Sequence, residues 1–278
     1  MTAFYDRFGP EYDDWAGGLN DRVARRLVEL ARPKPGELVL DVGTGTGLSA
    51  TPVADAVAPE GMVFAIDLCE SMLELGRRRR GRENLKFQSM VGERLVFRDE
   101  TFDLVVFSQS LSYLIYPETG LRETYRVLKP GGRLALSVQS RDLSTQAQEL
   151  YFRRLGELAR KHFLNLPRHP EGHDKLAHKP LLRKLLEHVG FVDIEMTQMV
   201  TGGRPATPRE WTTLMAGLGP LPFTLISVLG PGPRQDFETE LVGSMCELEE
   251  DERFRYHFGF LFAVASKPEE AAEETKGD

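Results

Sequence analysis

Short apolar, β-branched-rich runs alternate with helix-length segments through the first half of the chain, the order that builds a parallel sheet covered on both faces. Leu38 to Val42, Met62 to Ile66, Phe102 to Phe107 and Arg133 to Val138 read as strands buried on both sides. Each follows a turn signal: Pro33-Lys34-Pro35-Gly36, Pro59-Glu60-Gly61, Arg98-Asp99-Glu100 and Lys129-Pro130-Gly131-Gly132. Asp21 to Ala31 and Gly120 to Leu128 have helix length. After Val138 the pattern turns polar, with a helix expected over Gln146 to Phe163 and a Pro- and His-containing stretch from Leu166 to Lys179, so that 141–179 reads as an inserted lid. Alternation resumes with an amphipathic helix over Pro180 to Val189, a Gly190-Phe191 turn and a strand over Val192 to Met196. A long helix near Asp236 to Glu250 and a last strand over Phe254 to Ser266 complete the pattern, without internal repeats.

Composition narrows the class. At 278 residues, 41% hydrophobic and 28% charged, the chain can bury a sizeable core as one large domain. Lys and Arg total 35 against 42 Asp and Glu, and the net charge of −7 argues against a long nucleic-acid partner and for a small molecule. Cys69 and Cys246 form no CxxC pair, which excludes a disulfide framework or thiolate zinc site and fits a reduced cytosol. The N-terminal residues mix acids, Gly and Pro where a secretory signal would be basic and then apolar. The most apolar runs, Leu221 to Leu229 and Phe258 to Ala265, fall short of the about 20 residues that span a bilayer. A soluble, cytoplasmic protein without membrane insertion is expected. The tail, 267–278, is acidic and Ala-rich and is expected to be disordered.

The sharpest chemical signal is Val39-Leu40-Asp41-Val42-Gly43-Thr44-Gly45-Thr46-Gly47, a strand running into a glycine-rich turn that opens a helix. Glycines at alternate positions let backbone approach a ligand at the C-terminal edge of the sheet. Asp67 ends the second strand, where a carboxylate accepts both ribose hydroxyl protons. A phosphate-binding loop needs Gly-Lys-Ser/Thr, and no Lys follows these glycines. A dinucleotide site wants G-x-G-x-x-G, whereas here the spacing is G-x-G-x-G with Asp41 two positions earlier, poorly placed beside pyrophosphate. That carboxylate suits a cationic ligand such as an ammonium.

These residues resemble the class I S-adenosylmethionine-dependent methyltransferases, in particular the small-molecule enzymes around ubiquinone and menaquinone biosynthesis. Asp41 to Gly47 is similar to the family's first motif, and Asp67 to Leu73 to its second-strand stretch. Leu95 to Val105, Leu128 to Leu134 and Leu185 to Phe191 resemble its L-P-F-x-D-x-S-F-D-x-V, L-K-P-G-G-x-L and L-L-x-x-A-G-F steps, and the resemblance covers most of the chain from Tyr5 to Ser266. It implies a Rossmann-like, seven-stranded, mostly parallel sheet with helices on both faces, the last strand antiparallel and a helical lid inserted. The 1–266 domain would divide into N-terminal cofactor-covering helices (1–32), a cofactor-binding core (33–140), the lid (141–179) and a part carrying substrate elements (180–266). Position by position, Asp41 and the Gly43, Thr44, Gly45 and Gly47 turn would hold the methionine part of S-adenosylmethionine, and Asp67 the ribose. Leu68 and Met72 would pack near the adenine, Gly92 and Glu93 would border its edge, and Ser108 and Gln109 would line the methyl-donor end. Where the family has an acid before the adenine-bordering pair this chain has Val91, so backbone or Glu93 would substitute. Tyr5 and Tyr12 resemble the segment that covers the cofactor in this branch.

The implied chemistry is in-line displacement of a methyl group by an O, N, C or S nucleophile of a small organic molecule, with S-adenosylhomocysteine leaving. Positioning and a dry pocket do most of the work. No catalytic residue is set by the sequence; Tyr113, His173 and His178 are the candidates. His162, His169, His173 and His178 lie in the expected lid, but Pro167, Pro170 and Pro180 break their spacing and no metal site is expected. The run Arg77 to Arg80 with Arg82 reads as a solvated helix end that complements the helix dipole. The turn after the Phe102 to Phe107 strand, Ser108-Gln109-Ser110-Leu111, lacks the Pro-Pro-aromatic form suited to exocyclic amines, which argues against base flipping. Met215 to Leu221 and Phe223 to Pro233 are expected to form a wall of the substrate cavity or a homodimer face, with Trp211 and Phe223 as stacking candidates against ordinary core packing. The alternatives are a non-catalytic S-adenosylmethionine- or S-adenosylhomocysteine-binding regulator and a tRNA or protein methyltransferase.

Overall fold

The alternation of apolar runs and amphipathic segments becomes a single sheet with a helical layer on each face. The computed structural model describes residues 2–140, 144–162, 176–205, 207–218, 222, 225–226 and 229–269. In chain order these form α1 (Thr2–Phe8), a 3-10 turn (Gly9–Glu11), α2 (Trp15–Ala31), β1 (Leu38–Val42), α3 (Ala50–Val57), β2 (Met62–Asp67), α4 (Glu70–Arg80) and β3 (Leu85–Ser89). There follow β4 (Phe102–Ser108), a 3-10 turn (Leu111–Tyr113), α5 (Pro117–Val127), β5 (Leu128–Ser140), α6 (Gln146–His162), α7 (Lys179–Val189), β6 (Val192–Gly203), α8 (Pro208–Ala216), α9 (Pro231–Met245) and β7 (Tyr256–Ser266).

The seven strands lie in the order β3-β2-β1-β4-β5-β7-β6. β1 to β5 pair in parallel, and β7 runs antiparallel between β5 and β6. Strand order reverses between β1 and β4, the switch point at which a crevice opens beyond the carboxyl ends of the strands. Register sets Asp41 opposite Ala65 on β2 and Val106 on β4, so the ends of these three strands reach one edge together.

Side-chain alternation divides the core. Val39, Leu104, Val106 and Ala135 face a cluster with α2, α3, α6 and α9, while Leu40, Val105, Phe107 and Leu134 face one with α5 and α7. Full burial of each such side chain contributes about 1.5–3 kcal/mol. The helix of the expected lid segment is built into the first of these clusters: Ala147, Leu150, Tyr151 and Leu155 of α6 pack beside Trp211, Phe237 and Met245. Trp211 is fully buried and its indole donates to Arg255 O, so it belongs to the core and offers no stacking face.

The elements differ from the sequence pattern at several places. β3, unmarked by it, is an edge strand whose only buried residue is Leu85. β6 continues past Met196 to Gly203 because β7 pairs with it over that whole length. The late helix starts at Pro231, well before Asp236, since Pro fits the first helical turn. Among the described residues no helix is long and apolar enough to cross a membrane.

Candidate active site

β1 runs directly into the glycine-rich turn, where Gly43, Gly45 and Gly47 take left-handed backbone with φ of 69°, 56° and 84°. At two of them the space is also closed. A Cβ on Gly43 would lie 2.4 Å from Ser110 Cβ, and one on Gly47 would lie 2.9 Å from Phe87 Cζ. Gly45 is different: its Cβ position meets only Met72 Cε, at 3.4 Å, so its other side is open to a ligand. Ser110, just past β4, donates to Val42 O and pins the turn to the neighbouring strand end.

Asp41, the penultimate residue of β1, is fully buried. Its Oδ2 accepts from Thr44 Oγ1 at 2.9 Å and Ser49 Oγ at 2.8 Å, whereas Oδ1 has no partner among the described residues. Burial pushes its pKa from 3.8 up to about 6 against those two hydroxyls and the Ala50 backbone N–H, with the Asp67 charge adding to the rise. A buried carboxylate oxygen without a donor costs about 1–3 kcal/mol, so the site is built for a partner that brings one. Asp67 closes β2. Its oxygens accept from Gly45 N at 2.8 Å and Cys69 N at 2.9 Å, and burial raises its pKa. The remaining lone pairs are free to take ribose hydroxyls. These residues fit S-adenosylmethionine: an unpaired acceptor for its ammonium, open glycine backbone, a ribose acceptor, and beside it Leu68, an apolar side chain left 59% exposed.

The other expected contacts divide. Met72 is buried between Gly9 and Gly45, backing the turn from below. Gly92 is a close-approach glycine, its Cβ position 2.9 Å from Val42 Cγ1. Glu93 accepts from Ile115 N at 2.7 Å and Tyr116 N at 3.3 Å, so it braces the loop before α5, and the half-exposed Val91 stands at the rim instead.

Tyr5 and Tyr12, on α1 and just after it, meet Tyr113 beside Asp67. Tyr5 lies 6.0 Å from Tyr113 and 6.1 Å from Tyr12, ring centre to ring centre, in edge-to-face pairs. Burial, then neighbouring phenols and the Asp67 charge, raises the Tyr5 and Tyr12 pKa values, and burial also raises that of Tyr113. All three are therefore hydroxyl donors at neutral pH, and Tyr113 is a poor general base. They line a cavity of ≈ 60 Å³ with Phe4, Phe8, Trp15, Phe258 and Phe260. Its polar points are Asn20, Gln109, Ser112 and Gln139, and Gly217 and Leu218 close one wall.

Gln109 takes φ 56° because its N–H bonds to Ser137 O and Ser137 Oγ, and its amide then donates to Asn20 Oδ1 at 3.3 Å. Asn20 in turn donates to Tyr12 O at 3.0 Å. Sequence reasoning missed Asn20, although a buried amide on the apolar face with Ala24, Leu27 and Ala31 was a readable signal. A larger cleft, ≈ 480 Å³, lies at the far end of β6 and β7 among Arg204, Asp251, Arg255 and His257. It shares no residue with the glycine turn, and Arg204 and Arg255 are engaged by Glu250 O and Glu252. His169, His173 and Phe223 lie outside the described residues. His178 precedes α7 and is absent from the cavity lining.

The arginine run is paired. Arg77 bonds Glu70, Arg78 approaches Glu74, Arg79 and Arg80 both bond Asp13, and Arg82 bonds Asp55.

Residues 40–136 match the family model of the methyltransferase domain. The chain is 40% identical over 138 residues to the ubiquinone/menaquinone biosynthesis C-methyltransferase UbiE of Ectopseudomonas mendocina, covering 48% of this chain and 53% of that one. With the enzyme of that name from Hydrogenovibrio crunogenus the match is 31% over 212 residues, or 70% of this chain and 80% of the relative. Several of these curated relatives are thus matched over only about half their length. Among solved structures, YcgJ of Bacillus subtilis superposes with TM-score 0.58 at 16% identity, covering 89% and 99% of the two chains. A phosphoethanolamine N-methyltransferase of Haemonchus contortus, solved with S-adenosylhomocysteine, gives 0.54 at 19%, covering 91% and 53%. At such identities the likeness is one of fold.

Proposed function

Because this chain belongs to the class I S-adenosylmethionine-dependent methyltransferases, beside the UbiE enzymes, we propose that it methylates a ring carbon of a small, planar, oxygen-bearing acceptor. When bound, S-adenosylmethionine supplies a methyl group on a sulfonium for in-line displacement, leaving S-adenosylhomocysteine. The unpaired Asp41 Oδ1, buried near the open backbone of Gly45, carries the reading, since a ligand that brings a donor would satisfy it.

Asp41 takes the ammonium and Asp67 the ribose hydroxyls, which orients the donor end toward Ser108 and Gln109. The aromatic walls, Tyr5, Tyr12, Tyr113 and Phe258 among them, keep water out and accept the flat face of a ring. Asn20, Gln109 and Tyr113 offer hydrogen-bond donors to ring oxygens. The relatives' names as quinone-pathway C-methyltransferases favour carbon as the nucleophile. Among the described residues no basic side chain lines the cavity, and the chain contributes positioning and dryness rather than proton abstraction.

Calorimetry with S-adenosylmethionine, S-adenosylhomocysteine and NAD, followed by methyl transfer to demethylated quinols and catechols, tests this. Micromolar binding of the two sulfur nucleosides with turnover on a ring carbon is the expected result. Binding of NAD alone overturns the cofactor assignment, and binding without transfer to any acceptor favours a regulator.

A further inference from the structure

We propose that Asp13 is a positioning residue that latches the N-terminal segment, 2–15, across the glycine-rich turn, so that ligand entry and release require this latch to open. The inference rests on the cofactor reading of the same turn. Asp13 Oδ2 accepts from Arg80 Nη2 at 2.6 Å and Arg79 Nη1 at 3.1 Å, while its Oδ1 accepts from Thr46 Oγ1, inside the turn, at 2.6 Å. Arg79 also reaches Pro10 O at 3.1 Å, and the Arg80 stem lies 3.5 Å from where a Gly47 Cβ would be. One carboxylate thus joins three pieces: the segment, the end of α4 and the turn. Its side chain is only 16% exposed, so solvent screens these bonds less than those of an open surface pair.

The remainder of the segment is arranged as a strap. At its far end Asp6 accepts from Ser71 Oγ at 2.6 Å and from the Cys69 thiol at 3.7 Å, next to Asp67. In between, Gly9 rests on Met72, which itself backs Gly45, and Tyr5 stands edge-to-face against both Tyr12 and Tyr113. At the near end Ala16, Gly17 and Gly18 all take left-handed backbone, φ 52°, 66° and 73°, before α2 proceeds. Gly17 and Gly18 adopt this conformation without strain and meet nothing a Cβ would strike closely, as a hinge requires. α1 has seven residues, too few to persist as a helix once detached, so the strap's closed form depends on its contacts. With the strap closed, its Tyr5 and Tyr12 wall the cavity of ≈ 60 Å³ beside the turn.

Cys69 supplies the readout. It is buried under Asp6, whereas Cys246 is exposed, so in a Cys246→Ser background an aromatic disulfide reagent reports strap opening at Cys69 alone. Asp13→Ala is expected to raise the labelling rate, and the S-adenosylhomocysteine dissociation rate in stopped flow, by about tenfold or more. Arg79→Ala with Arg80→Ala is expected to match it, and Asp13→Lys combined with Arg79→Asp and Arg80→Asp to restore slow labelling. An Asp13→Ala chain that melts as wild type yet labels and releases ligand at wild-type rates overturns the latch. So does the reversed trio labelling as fast as Asp13→Ala. Should Asp13→Ala fail to fold, Thr46→Val removes one latch bond alone, and unchanged labelling in it counts against the proposal. Labelling without ligand tests the latch even if wild type fails to bind S-adenosylhomocysteine, a failure that would fall on the cofactor reading only.

Discussion

Asp41 Oδ1 is one atom whose environment has measurable consequences. Burial puts the Asp41 pKa at about 6, above its ordinary 3.8, so between these values the folded chain holds a proton that the unfolded chain has released. Stability of the ligand-free protein therefore falls as pH rises through that window and levels above about 6, a penalty of roughly 3 kcal/mol. Asp41→Asn is expected to lack this decline. Denaturant unfolding of both proteins from pH 4 to 8 checks it, and a constant difference between them would contradict the assignment. An ammonium reverses the sense: S-adenosylhomocysteine affinity is expected to hold from pH 7 to 8 and to weaken by up to about tenfold per unit below about 6. Asp67→Ala removes a charge-assisted acceptor and is expected to weaken cofactor binding by about 1.5–3 kcal/mol. Unaltered affinity in a folded variant would sink the ribose role. The same substitution strips Gly45 N and Cys69 N of their acceptor, so a lower melting temperature is expected with it.

At the scale of elements, the turn after β1 separates packing from recognition. Gly43→Ala places a Cβ against Ser110 in left-handed backbone and is expected to destabilise the fold by about 2–4 kcal/mol. Gly45→Ala carries similar backbone strain, about 1–2 kcal/mol, but its Cβ makes only an ordinary contact with Met72 Cε at 3.4 Å, so its larger expected effect is on ligand affinity. Denaturation midpoints compared with S-adenosylhomocysteine titrations of the two variants distinguish these roles; equal effects on both readouts would refute the distinction. Elements with continuous apolar runs, β1, β2 and β4, were legible because strands buried on both faces need them. β3 was not, since Leu85-Lys86-Phe87-Gln88-Ser89 sits at the sheet edge and has a neighbour on one side only. The arginine run was read as a helix end, which it is; that two of its members hold a distant aspartate depends on where the N-terminal segment lies.

For the whole molecule, a ligand that binds only the folded chain adds stability by mass action. At a hundredfold excess over its Kd, S-adenosylhomocysteine is expected to stabilise the protein by about 2.7 kcal/mol, raising the melting temperature by roughly 5 °C or more, with NAD inert. Thermal scans check this, and a shift with NAD alone would point to a different cofactor. The order of strands and turns, the glycines that must be glycine and the placement of Asp41 and Asp67 at strand ends were determined by the sequence alone. They follow from local periodicity and backbone conformation, which neighbouring residues dictate. Tertiary structure decided the rest: Gln109 meeting Asn20 across 89 positions, Glu93 drawn away to the Ile115 and Tyr116 amides, α6 in the core, and Asp13 on Arg79 and Arg80. Such contacts join residues with no shared local pattern, and only the packing of whole elements chooses which polar groups are left to satisfy one another.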